Sequence, residues 1–511
     1  MSPNPPKKAA GRRTKRDLLT GLAYCLGAVP FGAKEQLFGL LLVFYNQLLG
    51  LPAAAVSATI AASVVLDAVW DPFVGQVSDM TRSRWGRRHP YLYGVAVPLA
   101  LAFALLWRPP AGWSQAALLA WLAVFAILTR LLVSLHELPS AALMPELSRD
   151  YDERTALVGL RSLFGNIGAG VSFVLAFGVF LRSTPEQPFG QLNEAGYAPF
   201  GATVAGVMLI TILVSALGTH RVIPFLYAPR PQIGGIAPRL RAIAQTLRSR
   251  NFAALAAASL LRGINLGVHG GLAIYFTTYY WRLPAEKILW LGLLAGPAHP
   301  LATVFAPVLA KRWGKRDACV RLFLAATALA HLPLVAGLLG WMPAAGGYAQ
   351  FTILLGDLSV VMFLDTSGSI IVTSMVADIV EETELRTGRR SEGLLLGVET
   401  FLKKFSAGMA IAVPGLLLAL VAFPPHADPA TLNPGVMRKL AFISLPLWVA
   451  LGFAATGMLL FYRIDRATHE ANLAKLTPET RGPIPPEPTP LRAPPHRLSQ
   501  GTTERRRARP L

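Results

Sequence analysis

The sequence predicts an all-α membrane protein with twelve transmembrane helices in two pseudo-symmetric six-helix bundles. Three observations support this fold class: 53% of the 511 residues are hydrophobic, only 15% are charged, and long apolar stretches recur along the chain. Average proteins carry about 25% charged residues. This composition excludes a disordered chain and argues against a soluble globule. Cys25 and Cys319 are too few for a disulfide scaffold or a multi-cysteine metal site.

Apolar stretches of spanning length define the individual elements, here called spans 1 to 12. A spanning helix needs about 20 mostly apolar residues, because the hydrocarbon core of a bilayer is about 30 Å thick. Twelve stretches meet this requirement, near 18–49, 53–78, 91–108, 115–145, 156–181, 200–219, 251–281, 288–310, 318–340, 349–377, 394–423 and 440–462.

The distribution of lysine and arginine predicts the topology. Basic residues outnumber acidic residues 48 to 28, for a net charge of +20. If the N-terminus is cytoplasmic, 36 of the 48 basic residues fall on the cytoplasmic side of the membrane. Cytoplasmic loops of membrane proteins carry such an excess. We therefore expect a multi-pass protein of the plasma (inner) membrane with both termini in the cytoplasm. Its basic surface would face membrane lipid, and nucleic acid is not expected as a partner.

This topology divides the chain into five segments. The two bundles are expected at 18–219 and 251–465. The remaining segments are a cytoplasmic N-terminal segment at 1–17, a central cytoplasmic loop at 220–250, and a Pro- and Arg-rich tail at 466–511 that is expected to be largely disordered.

Two loops nearly repeat each other. Arg84–Arg88 reads RWGRR after span 2, and Arg312–Arg316 reads RWGKR after span 8. These positions are equivalent if the chain consists of two related six-span halves, an arrangement typical of alternating-access transporters. Gly86 and Gly314 would allow tight turns. The arginines could cap helix ends or pair with a carboxylate such as Asp79.

Ionisable residues inside the spans are the strongest functional signal, because burying a charge in a membrane is costly. Asp67 and Asp71 in span 2 are four residues apart, so they share a helix face with Ser63. Two carboxylates this close cannot both stay ionised in a low-dielectric site without a bound cation or a proton. The pair is therefore predicted to sense a cation, either H⁺ or Na⁺.

Other spans add further charges. Span 1 contains Lys34 and Glu35 in a stretch where a proline is expected to loosen the helix, and span 5 contains Arg161. Span 4 contains Ser134, His136 and Glu137. In span 11, Glu399 and Lys403 could neutralise each other, which leaves Lys404 for a central cavity. Facing carboxylates and cations could bind a polar solute and couple it to a cation.

These residues resemble a known family. The run DAVWDPFVG from Asp67, followed by TRSRWG from Thr81, resembles the glycoside–pentoside–hexuronide:cation symporters, the melibiose permease-like family of the major facilitator superfamily. Further matches are FGAKE, ELP, MVAD and TFLKK, which end at Glu35, Pro139, Asp378 and Lys404. The resemblance covers roughly residues 18–465.

The resemblance implies roles for individual positions. Asp67 and Asp71 would bind the cation, with Ser134 at a hydroxyl position. Glu35, Glu137 and Arg161 would bind the solute, with Lys34 and Lys404 close to the two sites. The loop residues linked to conformational change would be Asp79, Arg82, Arg84, Gly86, Arg87 and Asp378. The protein would work as a monomer, and no cofactor is implied beyond the coupling cation.

Departures from the family pattern leave two alternatives open. The family has asparagine where this chain has Trp70, and losing an oxygen ligand favours H⁺ over Na⁺. The family's sugar-stacking tryptophans are replaced by Ala141 and Ser369. The first hypothesis is a symporter that imports a sugar, glycoside or related polar solute together with H⁺ or Na⁺. The alternative is a transporter of lysophospholipid or another amphiphile on the same scaffold.

An enzyme is not expected. The sequence has no Gly-rich phosphate loop and no paired nucleophile and base. His136, His269, His299 and His331 are scattered over different spans without metal-ligand spacing, so each is interpreted as a packed or pore-lining residue, and no metal site is predicted.

Overall fold

The computed structural model describes residues 15–147, 151–225, 249–387 and 392–464, together with residues 468, 470 and 471. Over these ranges the regular secondary structure is helical, without a β-strand, which agrees with the predicted all-α class. Most of the predicted N-terminal segment, central loop and tail lies outside the described residues. Lys404 belongs to a described helix, but its side chain is outside the described part.

Eleven helices of the described residues are long and apolar enough to cross a membrane. They form spans 1 to 10 and span 12: Leu18–Leu48, Ala53–Met80, His89–Leu106, Gln115–Leu147, Ala156–Phe180, Glu194–His220, Arg250–Tyr280, Ala285–Trp313, Lys315–Leu338, Tyr348–Ile379 and Pro434–Leu459. Span 11 is the helix Glu392–Leu420, whose described apolar segment is the shorter Phe405–Leu420. The helix Tyr151–Val174 begins before span 5 and continues into its π turn, and span 10 is part of the longer helix Tyr348–Thr387.

Several spans are interrupted where the sequence contains proline. Span 1 breaks at Gly27 and resumes as the helix Val29–Val43, with Pro30 in its first turn. Proline lacks a backbone N–H and fits well in the first turn of a helix, so the break just before Pro30 agrees with the predicted loosening of this stretch. Span 8 comprises the helices Ala285–Ala295 and Ala298–Trp313, and span 9 comprises Lys315–Leu329 and Leu332–Leu338.

We call the two loops that contain Arg84–Arg88 and Arg312–Arg316 the Trp-Gly loops. Three spans end in a π-helical turn on the opposite side of the membrane from these loops. These turns are Phe44–Leu48 in span 1, Leu175–Phe180 in span 5 and Phe276–Tyr280 in span 7. Spans 1 and 7 are the first helices of the two halves, so their π turns occupy equivalent positions. Such turns are rare and occur often at functional sites.

The packing of the helices repeats between the two halves. In the first half, span 1 packs on spans 5 and 6, span 2 on span 4, and span 3 on spans 4 and 6. In the second half, span 7 packs on spans 11 and 12, span 8 on span 10, and span 9 on spans 10 and 12. Small residues permit the closest crossings: a Cβ on Gly32 or Gly267 would overlap span 5 or span 11, respectively. The internal repeat inferred from the loops therefore extends to the whole helical arrangement.

Over the described residues, three pairs of spans make the most extensive contacts between the halves. Span 2 packs on span 11, span 5 on span 8, and span 1 on span 7. A pseudo-twofold axis that interchanges the halves converts the pair of spans 2 and 11 into the pair of spans 8 and 5. The same axis leaves the pair of spans 1 and 7 unchanged. This interface encloses the cavity described below.

The two Trp-Gly loops share a glycine with a left-handed backbone. Gly86 has φ of +74° and Gly314 has φ of +78°, in the left-handed region that favours glycine. The prediction that these glycines permit tight turns is confirmed. The first loop separates Met80 from His89, whereas Gly314 alone separates the helices that end at Trp313 and begin at Lys315.

Candidate functional site: a charged cavity between the two halves

A cavity of about 890 Å³ lies between the two halves. It reaches Leu459, the last residue of span 12, on the side of the Trp-Gly loops. Small and apolar side chains form most of its wall. The ionisable residues of the described wall are Glu35, Arg130, Arg262 and Asp365. A polar solute could contact charged groups from both halves here.

The predicted cation residues come together between spans 2 and 4. The Ser134 hydroxyl donates a hydrogen bond of 2.5 Å to the Asp67 carboxylate, and Asp67 is only 1% exposed. Asp71 follows one helical turn later and is partly buried. The Ser63 hydroxyl instead donates to the backbone oxygen of Ile60, so it is used within its own helix. The structure thus brings Asp67 and Ser134 into direct contact, with Asp71 adjacent on the same helix.

Lys34 and Glu35 form an ion pair on the cavity wall. The distance from Lys34 Nζ to Glu35 Oε1 is 3.0 Å. The Lys34 side chain is 2% exposed, whereas that of Glu35 is 50% exposed. The buried ammonium therefore holds a carboxylate that remains accessible from the cavity, where Glu35 is a lining residue.

Glu137 and Arg161 form a second ion pair, away from the cavity wall. Arg161 donates to Glu137 over 2.9 Å and to the hydroxyl of Ser140 over 3.0 Å, and its guanidinium lies 5.0 Å from the ring centre of Tyr24. Neither member of the pair is among the residues that line the cavity. The structure brings these two predicted solute residues together but does not place them beside Glu35 on the cavity surface.

Three charged residues of the cavity wall were not among the predicted solute-binding residues: Arg130, Arg262 and Asp365. Arg130 is buried in span 4 and interacts electrostatically with Glu35 and Asp67. It precedes Ser134 by four residues, so the shared helix face could have revealed it. Arg262 and Asp365 pair between spans 7 and 10. Both are charged residues inside spans, which is the only sequence signal they carry.

Two of the four histidines noted in the sequence, His269 and His331, lie close together. The His269 ring stacks on Trp448 with 4.0 Å between ring centres and lies 5.2 Å from the His331 ring. The three residues come from spans 7, 12 and 9. Over the described residues, no group of three or more histidine, cysteine or acidic side chains could hold a metal ion. The interpretation of these histidines as packed side chains fits the stacking.

The loop residues form equivalent ion pairs in the two halves. Arg87 contacts Glu146 at 2.8 Å, and at the corresponding loop position Lys315 contacts Asp378 at 2.7 Å. The next residue, Arg88, contacts the predicted carboxylate Asp79 at 2.5 Å. Arg82 and Arg84 are exposed. Glu146 was not among the predicted loop residues, because its partner lies 59 positions earlier in the chain.

Hydrogen bonds join the halves on the side opposite the Trp-Gly loops. Tyr275 donates to Asn46 over 2.8 Å, and Tyr279 donates to Gln47 over 3.0 Å. The Gln47 side chain also donates to the backbone oxygen of Pro424 over 3.2 Å. Because these groups are buried, the cavity is closed on this side. With the predicted orientation of the chain, the cavity therefore opens toward the cytoplasm.

Replacing Tyr279 with Phe is expected to favour opening on the closed side. The change removes the hydrogen bond that the Tyr279 hydroxyl donates to Gln47 across the interface. The same hydroxyl also lies near the backbone oxygen of Ala427, which belongs to the second half and does not hold the halves together. At about 1 kcal/mol, the loss of this one bond should lower the ratio of closed to open protein about five-fold. The measurement is the labelling rate of a Gly270→Cys cavity reporter by a membrane-impermeant thiol reagent added from the closed side.

The neighbouring Tyr280→Phe provides the control, because no hydrogen bond between its hydroxyl and the first half is described. The native cysteines, Cys25 and Cys319, are buried and should contribute little background. Equal labelling rates for the two phenylalanine variants would contradict the assignment of Tyr279 to the closure.

Comparisons with known proteins agree with this architecture. The chain is 26% identical to an uncharacterized symporter of Synechocystis sp., over 89% of this chain and 96% of the relative. It is also 26% identical to the isoprimeverose transporter of Lactiplantibacillus pentosus, over 83% of this chain and 84% of the relative. The xylose transporter of E. coli, solved in an inward open conformation, shares the fold with a TM-score of 0.59 at 14% identity, over 90% of this chain and 99% of that one.

The family model described as MFS/sugar transport protein matches residues 23–466. This match confirms the predicted fold class, excludes an enzyme, and makes the chain a multi-pass membrane transporter of small solutes. The packing symmetry, the cavity between the halves and the matched range all lead to one assignment: the chain belongs to the MFS/sugar transport protein family.

Proposed function

We propose that the protein is a cation-coupled symporter that imports a sugar, glycoside or related polar solute by alternating access. The observation that carries this proposal is the charged cavity between two equivalent halves, next to a buried aspartate–serine contact. Relatives named as isoprimeverose, raffinose and lactose transporters support a sugar as the solute class. They also favour this hypothesis over the amphiphile alternative.

Coupling follows from the electrostatics of span 2. Two carboxylates one turn apart repel each other in a low-dielectric site, and a bound cation removes that repulsion. Arg130 interacts with both Asp67 and the cavity residue Glu35. Loading the cation site therefore changes the field around a residue that can contact the solute. A cation that binds better to one arrangement of the halves shifts the population toward it.

The proton is the proposed coupling ion. The described side-chain oxygens at the site belong to Asp67, Asp71 and Ser134, whereas Trp70 offers none. Na⁺ needs several oxygen ligands, while a proton needs a single carboxylate. The side chain of Trp70 is exposed, so it does not fill the space of a buried ligand.

Uptake is expected to follow a pH gradient and to ignore added Na⁺. A gradient of one pH unit stores about 1.4 kcal/mol, enough for about ten-fold accumulation of a neutral solute at one proton per solute. The measurement is uptake of a radiolabelled sugar into proteoliposomes, with pH and Na⁺ gradients imposed separately. The matched variant Trp70→Asn restores an oxygen ligand and should gain Na⁺ stimulation. Na⁺-stimulated uptake by the unmodified protein at equal pH on both sides would rule out the proton assignment.

The solute is proposed to bind beside Glu35, which the buried Lys34 holds in place. The Glu137–Arg161 pair would support this site from within the first half, because it fixes span 4 against span 5. Lys404 is retained as a predicted contributor from span 11. We further propose that the protein works as a monomer in the inner membrane, with both termini in the cytoplasm and its basic loops near lipid headgroups.

A further inference from the structure

We infer that Arg262 and Asp365 form a solute-binding pair on the second-half wall of the cavity and select neutral, hydroxyl-rich solutes over anionic ones. This inference rests on the proposed function and assigns its site two residues outside the predicted solute set. Arg262 belongs to span 7 and Asp365 to span 10, and both positions lie near the middle of their helices.

The pair is fixed in place yet accessible. Arg262 contacts Asp365 directly, and its guanidinium lies over the Phe323 ring, 3.7 Å from the ring centre. A guanidinium stacked on an aromatic face and paired with a carboxylate loses little further freedom on binding. The side chains are still 16% and 22% exposed, and both residues line the cavity. The pair is therefore preorganised for a ligand.

The chemistry of the pair matches a diol. A guanidinium has five N–H donors, and one carboxylate does not use all of them. The Asp365 carboxylate is a pure acceptor and lies beside those donors. A sugar hydroxyl both accepts and donates, so two neighbouring hydroxyls could accept from Arg262 and donate to Asp365.

The charge of the cavity favours a neutral solute. Its described ionisable wall residues are two arginines and two acids: Arg130, Arg262, Glu35 and Asp365. Their formal charges cancel, so a neutral solute enters without leaving a charge unbalanced. An anionic solute would lose its hydration and add a net negative charge to a wall whose own charges already balance, which is unfavourable where the dielectric is low.

The position of the pair also allows it to take part in closing the cavity around a bound solute. Glu35 belongs to the first half, and Arg262 and Asp365 belong to the second. A solute that contacts both walls would connect the halves, because contacts made only when the walls approach favour the closed arrangement. Solute recognition and movement would then depend on the same three side chains.

The test is an exchange of the two charges, Arg262→Asp with Asp365→Arg. The exchange keeps an ion pair between spans 7 and 10 but reverses the positions of donor and acceptor. The probes are methyl β-D-glucoside, methyl β-D-xyloside and methyl β-D-glucuronide, measured by calorimetry on purified protein and by exchange in proteoliposomes. We expect the unmodified protein to bind a neutral glycoside at least ten-fold more tightly than the glucuronide. We expect the exchanged protein to fold, with a Tm lowered by no more than the loss of the guanidinium–Phe323 contact, and to bind a neutral glycoside at least ten-fold more weakly.

A second variant covers the case in which the exchange does not fold. Asp365→Asn leaves Arg262 without its carboxylate, so it should weaken neutral glycoside binding and improve glucuronide binding, which a purely structural pair would not do. The matched control exchanges the exposed pair Arg316 and Asp317, which does not line the cavity, and should leave both affinities unchanged.

The outcomes separate the two proposals. If the unmodified protein transports none of these probes with any cation gradient, sugar symport itself is rejected. If it transports a neutral glycoside and the charge exchange keeps the original affinity, only the role of Arg262 and Asp365 is rejected. Equal affinity of the unmodified protein for the glucuronide would reject the neutral selectivity.

Discussion

Replacement of Asp71 with Asn is expected to abolish cation-driven accumulation, so that the internal solute concentration rises only to about the external one. The asparagine keeps the size of the side chain but removes the second negative charge of the span 2 pair. Asp67 would then carry the remaining charge beside Ser134 and near Arg130, without the repulsion that a cation relieves. Solute movement would become independent of the cation gradient.

The measurement compares accumulation with exchange. Accumulation in vesicles under an imposed cation gradient should be lost, whereas exchange of labelled for unlabelled solute at equal concentrations should persist, because it requires only an intact solute site and moving halves. The exposed Asp317→Asn variant provides a matched control and should accumulate solute normally. Uphill uptake by the Asp71→Asn variant would remove this residue from the coupling site.

Replacement of Arg161 with Ala is expected to lower the free energy of unfolding strongly. It leaves the Glu137 carboxylate without its partner inside the membrane, and breaking a buried ion pair from one side costs about 3–5 kcal/mol. The change also removes the contacts of the guanidinium with Ser140 and Tyr24. Adding Glu137→Gln removes the uncompensated charge, so the double variant should recover most of the stability.

Two measurements separate support of the fold from contact with the solute. Thermal unfolding in detergent should rank the single Arg161 variant below the double variant, with the unmodified protein highest. Solute affinity in the double variant should fall more than the response to the cation. An unchanged solute affinity would contradict this prediction and place Arg161 outside the solute site.

Much of the fold was predictable because the signals are local. Apolar length alone gave the positions of the spans, and Pro30 indicated the break in span 1. The Trp-Gly loops revealed the repeat, because they share a Trp-Gly sequence at equivalent positions of the two halves, and both glycines have a positive φ. The π turns were not predicted, because an extra residue in a helical turn leaves no compositional signal in a stretch that is apolar on every side.

The site was predictable in part, for the same reason. Contacts within a helix or between matched motif positions, such as Asp67 with Ser134, followed from spacing and resemblance. The pair Arg262 and Asp365 lies 103 positions apart in the chain, and its formation depends on how span 7 packs against span 10. Sequence identified both residues as costly charges but could not identify their partners. The same limit applies to Glu146, the partner of Arg87.

The π turns that end spans 1 and 7 also bear on the evolutionary origin of the two halves. They occupy equivalent places in the two halves, although FYNQL and FTTYY share little beyond their first residue and their aromatic character. If the halves arose by duplication of one six-helix ancestor, the simplest history is that the ancestor already had the extra residue, and that both copies kept it while their sequences diverged. Gln47 and Tyr279 belong to these two turns, so the closure on this side of the membrane is a contact between two duplicated elements of the fold.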